Sequence, residues 1–116
     1  MNYDEAGAFV DAPKNSPLEN ASFRVIGSLH SVNKKWTGAG SILITRPNGD
    51  QIFGTFQNEG VLGVGSTGGT IELVGGTGEC TGITGKMELL PRPAVKASKK
   101  GAYQGIGIGK ITWKIP

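Results

Sequence analysis

The chain has 116 residues, of which 20 are glycine, 6 are proline and one is cysteine, and its formal net charge is +3. This length suits one domain with a single core and leaves no room for a second domain of ordinary size. The net charge is small, and the basic residues gather in residues 91–100 and at Lys34 and Lys35, two clusters that are typical of solvated loops rather than of a nucleic-acid surface. One cysteine, Cys80, cannot form an internal disulfide. We therefore expect a single small domain with no nucleic-acid partner.

Residues 1–20 are predicted to form a poorly ordered lead-in segment with a short strand at Gly7 to Asp11, ahead of one domain over residues 21–116. The start of the chain lacks the basic region and apolar run of a secretory signal. No stretch approaches the roughly 20 apolar residues of a membrane-spanning helix. We expect a cytoplasmic protein with no membrane association.

Alternating apolar and polar residues predict a series of strands from about Ala21 onward. The turn Pro47 to Asp50 contains Asn48 and Gly49, which tolerate the positive φ of a tight hairpin turn. We predict strands at Phe23 to His30, Ala39 to Arg46, Gln51 to Gln57, Thr70 to Val74 and Ile83 to Leu90.

The last predicted strand begins near Ala102, and glycine occupies its alternate positions 105, 107 and 109. One face of this predicted strand therefore has no side chains at these positions, while the other face carries Ile106 and Ile108. Further on, the apolar residues move to odd positions, which a β-bulge near Gly109 would explain. A strand buried on both faces is the alternative.

The predicted fold is all-β: a small, antiparallel β-barrel of about six to eight hairpin-connected, glycine-rich strands with little or no helix, or else a sandwich. No stretch of ten or more residues has apolar positions at helical spacing. Glycines at alternate strand positions allow a sheet to curl tightly. Gly54, Gly105 and Gly107 would leave room inside if they point inward.

Several apparent motifs lack the neighbouring structure or the ligands that their chemistry requires. Gly63 to Gly68 matches G-x-G-x-x-G, but a predicted strand follows where dinucleotide binding requires a helix. One histidine and one cysteine cannot supply the ligands of a zinc site, and the nine acidic residues are scattered. We predict no metal and no cofactor.

Catalytic groups are scarce. Glu72 lies between Ile71 and Leu73 and would have a raised pKa if it pointed into an apolar interior, whereas a position on the outer face is the simpler interpretation. Arg24 and the only histidine, His30, complete the set of catalytic candidates. Cys80 lies in a glycine-flanked turn, where it is either an exposed thiol or a packed small residue.

One segment carries a family resemblance. Leu73 to Gly85 reads Leu-Val-Gly-Gly-Thr-Gly-Glu-Cys-Thr-Gly-Ile-Thr-Gly, which resembles the strand-turn-strand signature of allene oxide cyclase-like and dirigent-like barrels and their bacterial relatives. The hairpin from Gly40 to Gly54 is similar to a second recurring feature of that group. The resemblance implies an eight-stranded barrel with an apolar cavity, commonly a trimer, and it transfers no catalytic residue.

We therefore expect a homo-oligomeric barrel, trimer or dimer, that binds a small hydrophobic or aromatic molecule without catalysing a reaction. A cofactor-free isomerase or cyclase and an oligomeric assembly module are the alternatives. The predicted ligand-lining residues are Trp36, Phe53, Phe56, Ile71, Leu73 and Trp113.

Overall fold

A computed structural model describes residues 1–94 and 107–116, and its regular structure is almost entirely β. One short 3-10 helix, Gly78–Cys80, interrupts the strands. The strands are β1 (Asn2–Ala8), β2 (Ser22–Val32), β3 (Lys35–Thr45), β4 (Gln51–Val61), β5 (Gly65–Gly76), β6 (Thr84–Leu89), β7 (Arg92–Pro93) and β8 (Gly109–Lys114).

All eight strands form one antiparallel sheet in the order β1-β2-β3-β4-β5-β6-β8, with β7 paired to β5. The predicted all-β, hairpin-connected class is confirmed. Closure into a barrel is not observed, because within residues 1–94 and 107–116 the end strands β1 and β8 do not pair with each other. The molecule is a curved open sheet.

Every second residue of the central strands is buried, so these residues lie on one face of the sheet. We call it the inner face, and it carries the core. In β4, for example, Ile52, Gly54 and Phe56 are buried while Phe53 and Thr55 are exposed. Residues that face each other across antiparallel strands share a side of the sheet, so the burial pattern runs in rows across it. The buried apolar residues are Leu18, Ala21, Val25, Ile42, Ile44, Ile52, Phe56, Ile71, Leu73, Cys80, Ile83 and Met87.

Paired glycines on the inner face allow the main chains of β2 and β3 to approach closely. Gly27 lies opposite Gly40, and Gly40 lies opposite Phe56 on β4. A Cβ at Gly40 would overlap the carbonyl oxygen of Ile26, and a Cβ at Gly27 would lie 2.7 Å from Cζ of Phe56. The Phe56 ring thus covers the surface that the two glycines leave bare.

The N-terminal residues are part of the sheet, contrary to the prediction of a poorly ordered lead-in. The strand lies at Asn2–Ala8 rather than at Gly7 to Asp11, and it pairs with β2 along its whole length. Its inward residues include Glu5 and Gly7, so hydrophobic alternation does not reveal it. Farther along, Leu18 packs into the core.

Other strands are longer than predicted. A two-residue turn at Asn33 and Lys34, both with positive φ, joins β2 to β3. The predicted glycine-rich connection from Gly60 to Gly69 is mostly strand, with only residues 62–64 between β4 and β5. The final strand is described from Gly109, while Gly105 and Ile106, on which the predicted change of phase depends, lie outside the described residues.

Substitution of Gly40 by alanine tests the close approach of β2 and β3. The added methyl group would meet main-chain atoms that cannot move aside, so we expect Gly40→Ala to lower the free energy of unfolding by about 1–3 kcal/mol. Gly107→Ala is the control, because no atom of the described residues lies within 4 Å of its Cβ position, and we expect a change within about 0.5 kcal/mol. Equal effects of the two substitutions in urea denaturation would refute this account.

Candidate functional site

The outer face of the sheet carries a group of exposed apolar side chains. Phe53 is 40% exposed, Ile26 57% and Val74 59%, and Leu43 beside them is half-buried. We call these four residues the outer apolar surface. Contiguous exposed apolar residues on a soluble protein mark interaction sites more often than isolated ones do.

Strand register and a β-bulge build the outer apolar surface. Leu43 on β3 lies directly opposite Phe53 on β4, and Phe53 lies opposite Gly75 on β5. The next pair is Gly54 with Leu73, so Val74 is the extra residue of a bulge. Because the bulge leaves Val74 outside the regular pairing, its side chain joins that of Phe53 on the outer face. Gly75 leaves the Phe53 ring uncovered, with Cδ2 of Phe53 4.0 Å from its Cβ position.

Charges around the outer apolar surface are balanced. Arg24 donates two hydrogen bonds to the Asp4 carboxylate, at 3.1 Å from Nε and 2.6 Å from Nη2. The hydrogen bond from Arg24 lowers the pKa of the Asp4 carboxyl, and the positive charge of the guanidinium adds to the effect. On the opposite flank, Glu72 of β5 faces Lys86 of β6 in the strand register. The surface is therefore bordered by opposite charges in equal number.

The predicted ligand-lining residues do not form one group. Phe56, Ile71 and Leu73 lie together on the inner face, where they are packed into the core and are at most 7% exposed. Phe53 lies on the outer face and cannot line the interior, so its assignment is wrong. Phe53 and Phe56 are three positions apart in the sequence, and an odd separation places two side chains on opposite faces of a strand.

The two tryptophans lie on the inner side but away from the buried cluster. Trp36 is half-buried and covers Gly60, the residue opposite it on β4. Trp113 lies on the end strand β8 and is 39% exposed. The expected room beside Gly54 is also filled, since its Cβ position lies 2.9 Å from Cγ2 of Ile42 and 2.8 Å from the carbonyl oxygen of Glu72.

The catalytic candidates all lie on the exposed side of the sheet. Arg24, His30 and Glu72 are each exposed, at outward positions of β2 and β5. A reaction inside the fold would require these side chains to point inward, and they do not. Glu72 therefore lies on the outer face, which is the simpler of the two positions predicted for it.

A polar network that the sequence did not reveal ties two turns together. Nη1 of Arg46 donates a hydrogen bond to Oε2 of Glu79 at 3.2 Å, and it lies 3.9 Å from Oδ2 of Asp50 and 3.7 Å from Sγ of Cys80. The backbone N–H of Glu79 donates to Oδ2 of Asp50 at 3.1 Å. Cys80 is fully buried, which agrees with a packed small residue rather than an exposed thiol. The network joins the β3–β4 turn to the 3-10 helix.

Tyr3 brings a phenol to the inner face. Its ring lies 6.4 Å from that of Phe56, centroid to centroid, and its hydroxyl group reaches the Gly27 and Gly38 positions. Burial raises the pKa of the Tyr3 phenol, and the nearby charge of Glu5 raises it further. Both effects favour the neutral phenol, which suits a half-buried group packed against the core.

A shallow cleft of about 360 Å³ lies where β5 meets β7. Its walls are mainly apolar and it is wide open to solvent. The lining residues are Val64, Gly65, Ser66, Pro91, Arg92 and Pro93. An open depression of this kind encloses little of a small molecule, so we do not assign a ligand to it.

Within the described residues, no three histidine, cysteine or carboxylate side chains lie close enough together to hold a metal ion. The same residues include no helix that is long and apolar enough to span a membrane.

Comparison with known proteins adds no assignment: no family model, curated protein or solved structure matches the chain. The resemblance to allene oxide cyclase-like and dirigent-like barrels therefore stays a prediction from the residues that carry it.

Removal of the Arg46 guanidinium tests whether the polar network holds the two turns. We expect Arg46→Gln to lower the free energy of unfolding by about 1–3 kcal/mol, because the largely buried Asp50 carboxylate and the buried Cys80 sulfur lose a charged neighbour. The control is Arg24→Gln, which removes a solvent-exposed ion pair and should leave the free energy of unfolding nearly unchanged. Urea denaturation measures both, and an Arg46→Gln protein as stable as the control would contradict the assigned role.

Proposed function

We propose that the protein is a non-enzymatic, homotypic interaction module that associates through the outer apolar surface. The observation that carries the proposal is the exposure of Phe53 beside Leu43 and Val74, with the exposed Ile26 on the same face of the sheet one strand beyond Leu43. Aromatic side chains at the centre of a contact commonly supply much of its binding energy. The exposed positions of Arg24, His30 and Glu72 favour this function over catalysis.

A second copy of the same chain is the partner that this surface fits best. Two sheets can stack face to face with their apolar side chains interdigitated between them. The Arg24–Asp4 ion pair and the opposed Glu72 and Lys86 leave no net charge at the border of the surface. Two identical copies can therefore meet through this surface, as in a two-fold symmetric contact, without net charge repulsion.

Substitution of Phe53 tests this function. Phe53→Thr keeps a residue suited to a strand but removes the ring, so we expect a dimer of the native protein to become monomeric. Light scattering after gel filtration, over a range of protein concentrations, measures the mass. Because Phe53 lies outside the core, circular dichroism should show an unchanged fold.

Val10→Thr is the matched control, since Val10 is 86% exposed and lies outside the outer apolar surface. This variant should associate like the native protein. A native protein that is monomeric at every concentration, or a Phe53→Thr protein with the same dimer affinity, would exclude the proposal.

Binding of a small aromatic molecule on the inner face is a second candidate, favoured by Asn58. Its Oδ1 atom is buried and has no hydrogen-bond partner among the residues that the structure describes. It lies against Gly38, two residues from Trp36 along β3. An unpaired buried acceptor is costly, so a ligand with an O–H or N–H group could gain a hydrogen bond there.

Thermal unfolding with phenol or indole tests the second candidate. A ligand at 100 times its dissociation constant adds about 2.7 kcal/mol to the free energy of unfolding. We expect the melting temperature to rise with phenol but less with toluene, which lacks the donor, and we expect this difference to vanish in Asn58→Leu. Equal shifts with phenol and toluene, or none, would rule out the role of Asn58.

A further inference from the structure

Two hairpin turns meet at one end of the sheet and expose three aliphatic side chains. Val32 at the end of β2 is 58% exposed, and Leu62 and Val64 in the β4–β5 turn are 50% and 66% exposed. The backbone N–H of Leu62 donates a hydrogen bond to the carbonyl oxygen of Lys34 at 2.8 Å, which holds the two turns side by side. We call Val32, Leu62 and Val64 the apolar tip.

The apolar tip lies at an extreme end of the molecule. β5 has 12 residues and is therefore about 40 Å long, which is close to the longest dimension of the protein, 44 Å. The turn before β5 thus projects at one end of the long axis. Val32 and Ile26, a member of the outer apolar surface, are about 20 Å apart along β2. The tip is therefore a second, separate apolar surface.

Two lysines flank the apolar tip. Lys34 lies in the β2–β3 turn, and Lys35 begins β3 opposite Val32. Both lysines are exposed, and neither has an ion-pair partner among the residues that the structure describes. The first acidic residue farther into the sheet is Glu59 of β4, and the sequence of residues 95–106 contains no acidic residue. The outermost charges at this end of the molecule are therefore positive.

We propose that the apolar tip inserts into the surface of an anionic lipid bilayer while Lys34 and Lys35 contact the head groups. Aliphatic side chains are stabilised at the boundary between head groups and acyl chains, and cations beside them are attracted by the negative surface potential. Lysine suits this position because its alkyl stem can lie against apolar atoms while its ammonium group stays at the polar level. Half-buried Trp36 follows Lys35, and tryptophan is enriched at such interfaces.

This partner differs from the expectation of no membrane association that the sequence gives. A bilayer fits the tip better than a protein groove does, because the three aliphatic side chains lie at the ends of turns, where they project. The exposed apolar side chains beside the lysines are aliphatic, whereas single-stranded nucleic acids stack on aromatic rings. The backbone N–H groups of Leu62 and Val64 already donate to the carbonyl oxygens of Lys34 and Val61, so neither enters an apolar layer unpaired.

Binding to lipid vesicles tests the proposal. The vesicles contain either phosphatidylcholine alone or phosphatidylcholine with about one third phosphatidylserine, which supplies the negative surface. An apolar variant carries Leu62→Thr and Val64→Thr. A charge variant carries Lys34→Asn and Lys35→Gln, where asparagine tolerates the positive φ of residue 34. Each variant is made in the native protein and in the Phe53→Thr protein, so that any contribution of the outer apolar surface is measured separately.

Matched controls lie at the opposite end of the sheet, beyond the end of β1 and at the end of β8. Val10→Thr with Ile115→Thr removes two exposed aliphatic side chains, and Lys14→Gln with Lys114→Gln removes two exposed lysines. These pairs reproduce the loss of total hydrophobicity or of net charge without touching the tip. Co-sedimentation at low and high salt measures the bound fraction, and circular dichroism confirms that each protein is folded.

We expect the native and Phe53→Thr proteins to bind the vesicles that contain phosphatidylserine and to dissociate as salt screens the charges. Binding to phosphatidylcholine alone should be at least about tenfold weaker. The charge variant and the apolar variant should each bind the anionic vesicles about tenfold more weakly than their parent, because one loses the attraction and the other the inserted side chains. Both controls should bind like their parent.

Three results would overturn the proposal. The first is a native protein that does not bind the anionic vesicles, which would point to a protein partner for the tip. The second is a control pair that weakens binding as much as the corresponding tip pair. The third is full binding by the apolar variant, which would mean adsorption through charge alone. None of these results concerns the oligomeric state, so this proposal and the outer apolar surface can fail independently.

Discussion

The close approach of the β2 and β3 main chains at Gly27 and Gly40, beneath the Phe56 ring, is the constraint on which the rest of the structure depends. The Phe56 ring covers both glycines, and the same face of the sheet gathers the buried apolar side chains of the central strands. On the opposite face, residues 1–94 and 107–116 leave several large apolar side chains exposed. Phe53 and Val74 therefore remain exposed as a geometric result of how the core is formed.

Much of the fold could be predicted from the sequence, because alternation and turn chemistry are local properties. The strands from Phe23 to Leu90 and the turn at Asn48 and Gly49 are of this kind. Strand β1 could not be found in this way, since Glu5 and Gly7 lie where apolar residues would signal a strand. Its place in the sheet comes from pairing with β2, which is some twenty residues away in the chain.

The candidate site was harder to predict than the fold. Strand periodicity places Phe53 and Phe56 on opposite faces, and that signal was present in the sequence. The exposure of Val74 depends on a register shift that only the pairing of β4 with β5 reveals. The Arg46 network likewise needs two turns, 33 residues apart, to meet in space. Such contacts are properties of the assembled sheet and not of any segment.

The packing of Phe56 over Gly27 and Gly40 also limits which substitutions this sequence tolerates. A smaller residue at position 56 would leave a cavity over Gly27 and Gly40. The usual remedy is a second substitution that enlarges a neighbouring side chain. At Gly40 this remedy fails, because the obstructing atom is the Ile26 carbonyl oxygen of the main chain rather than the ring itself. Loss of the ring therefore cannot be repaired at that glycine, and a variant that survives must fill the space from another strand.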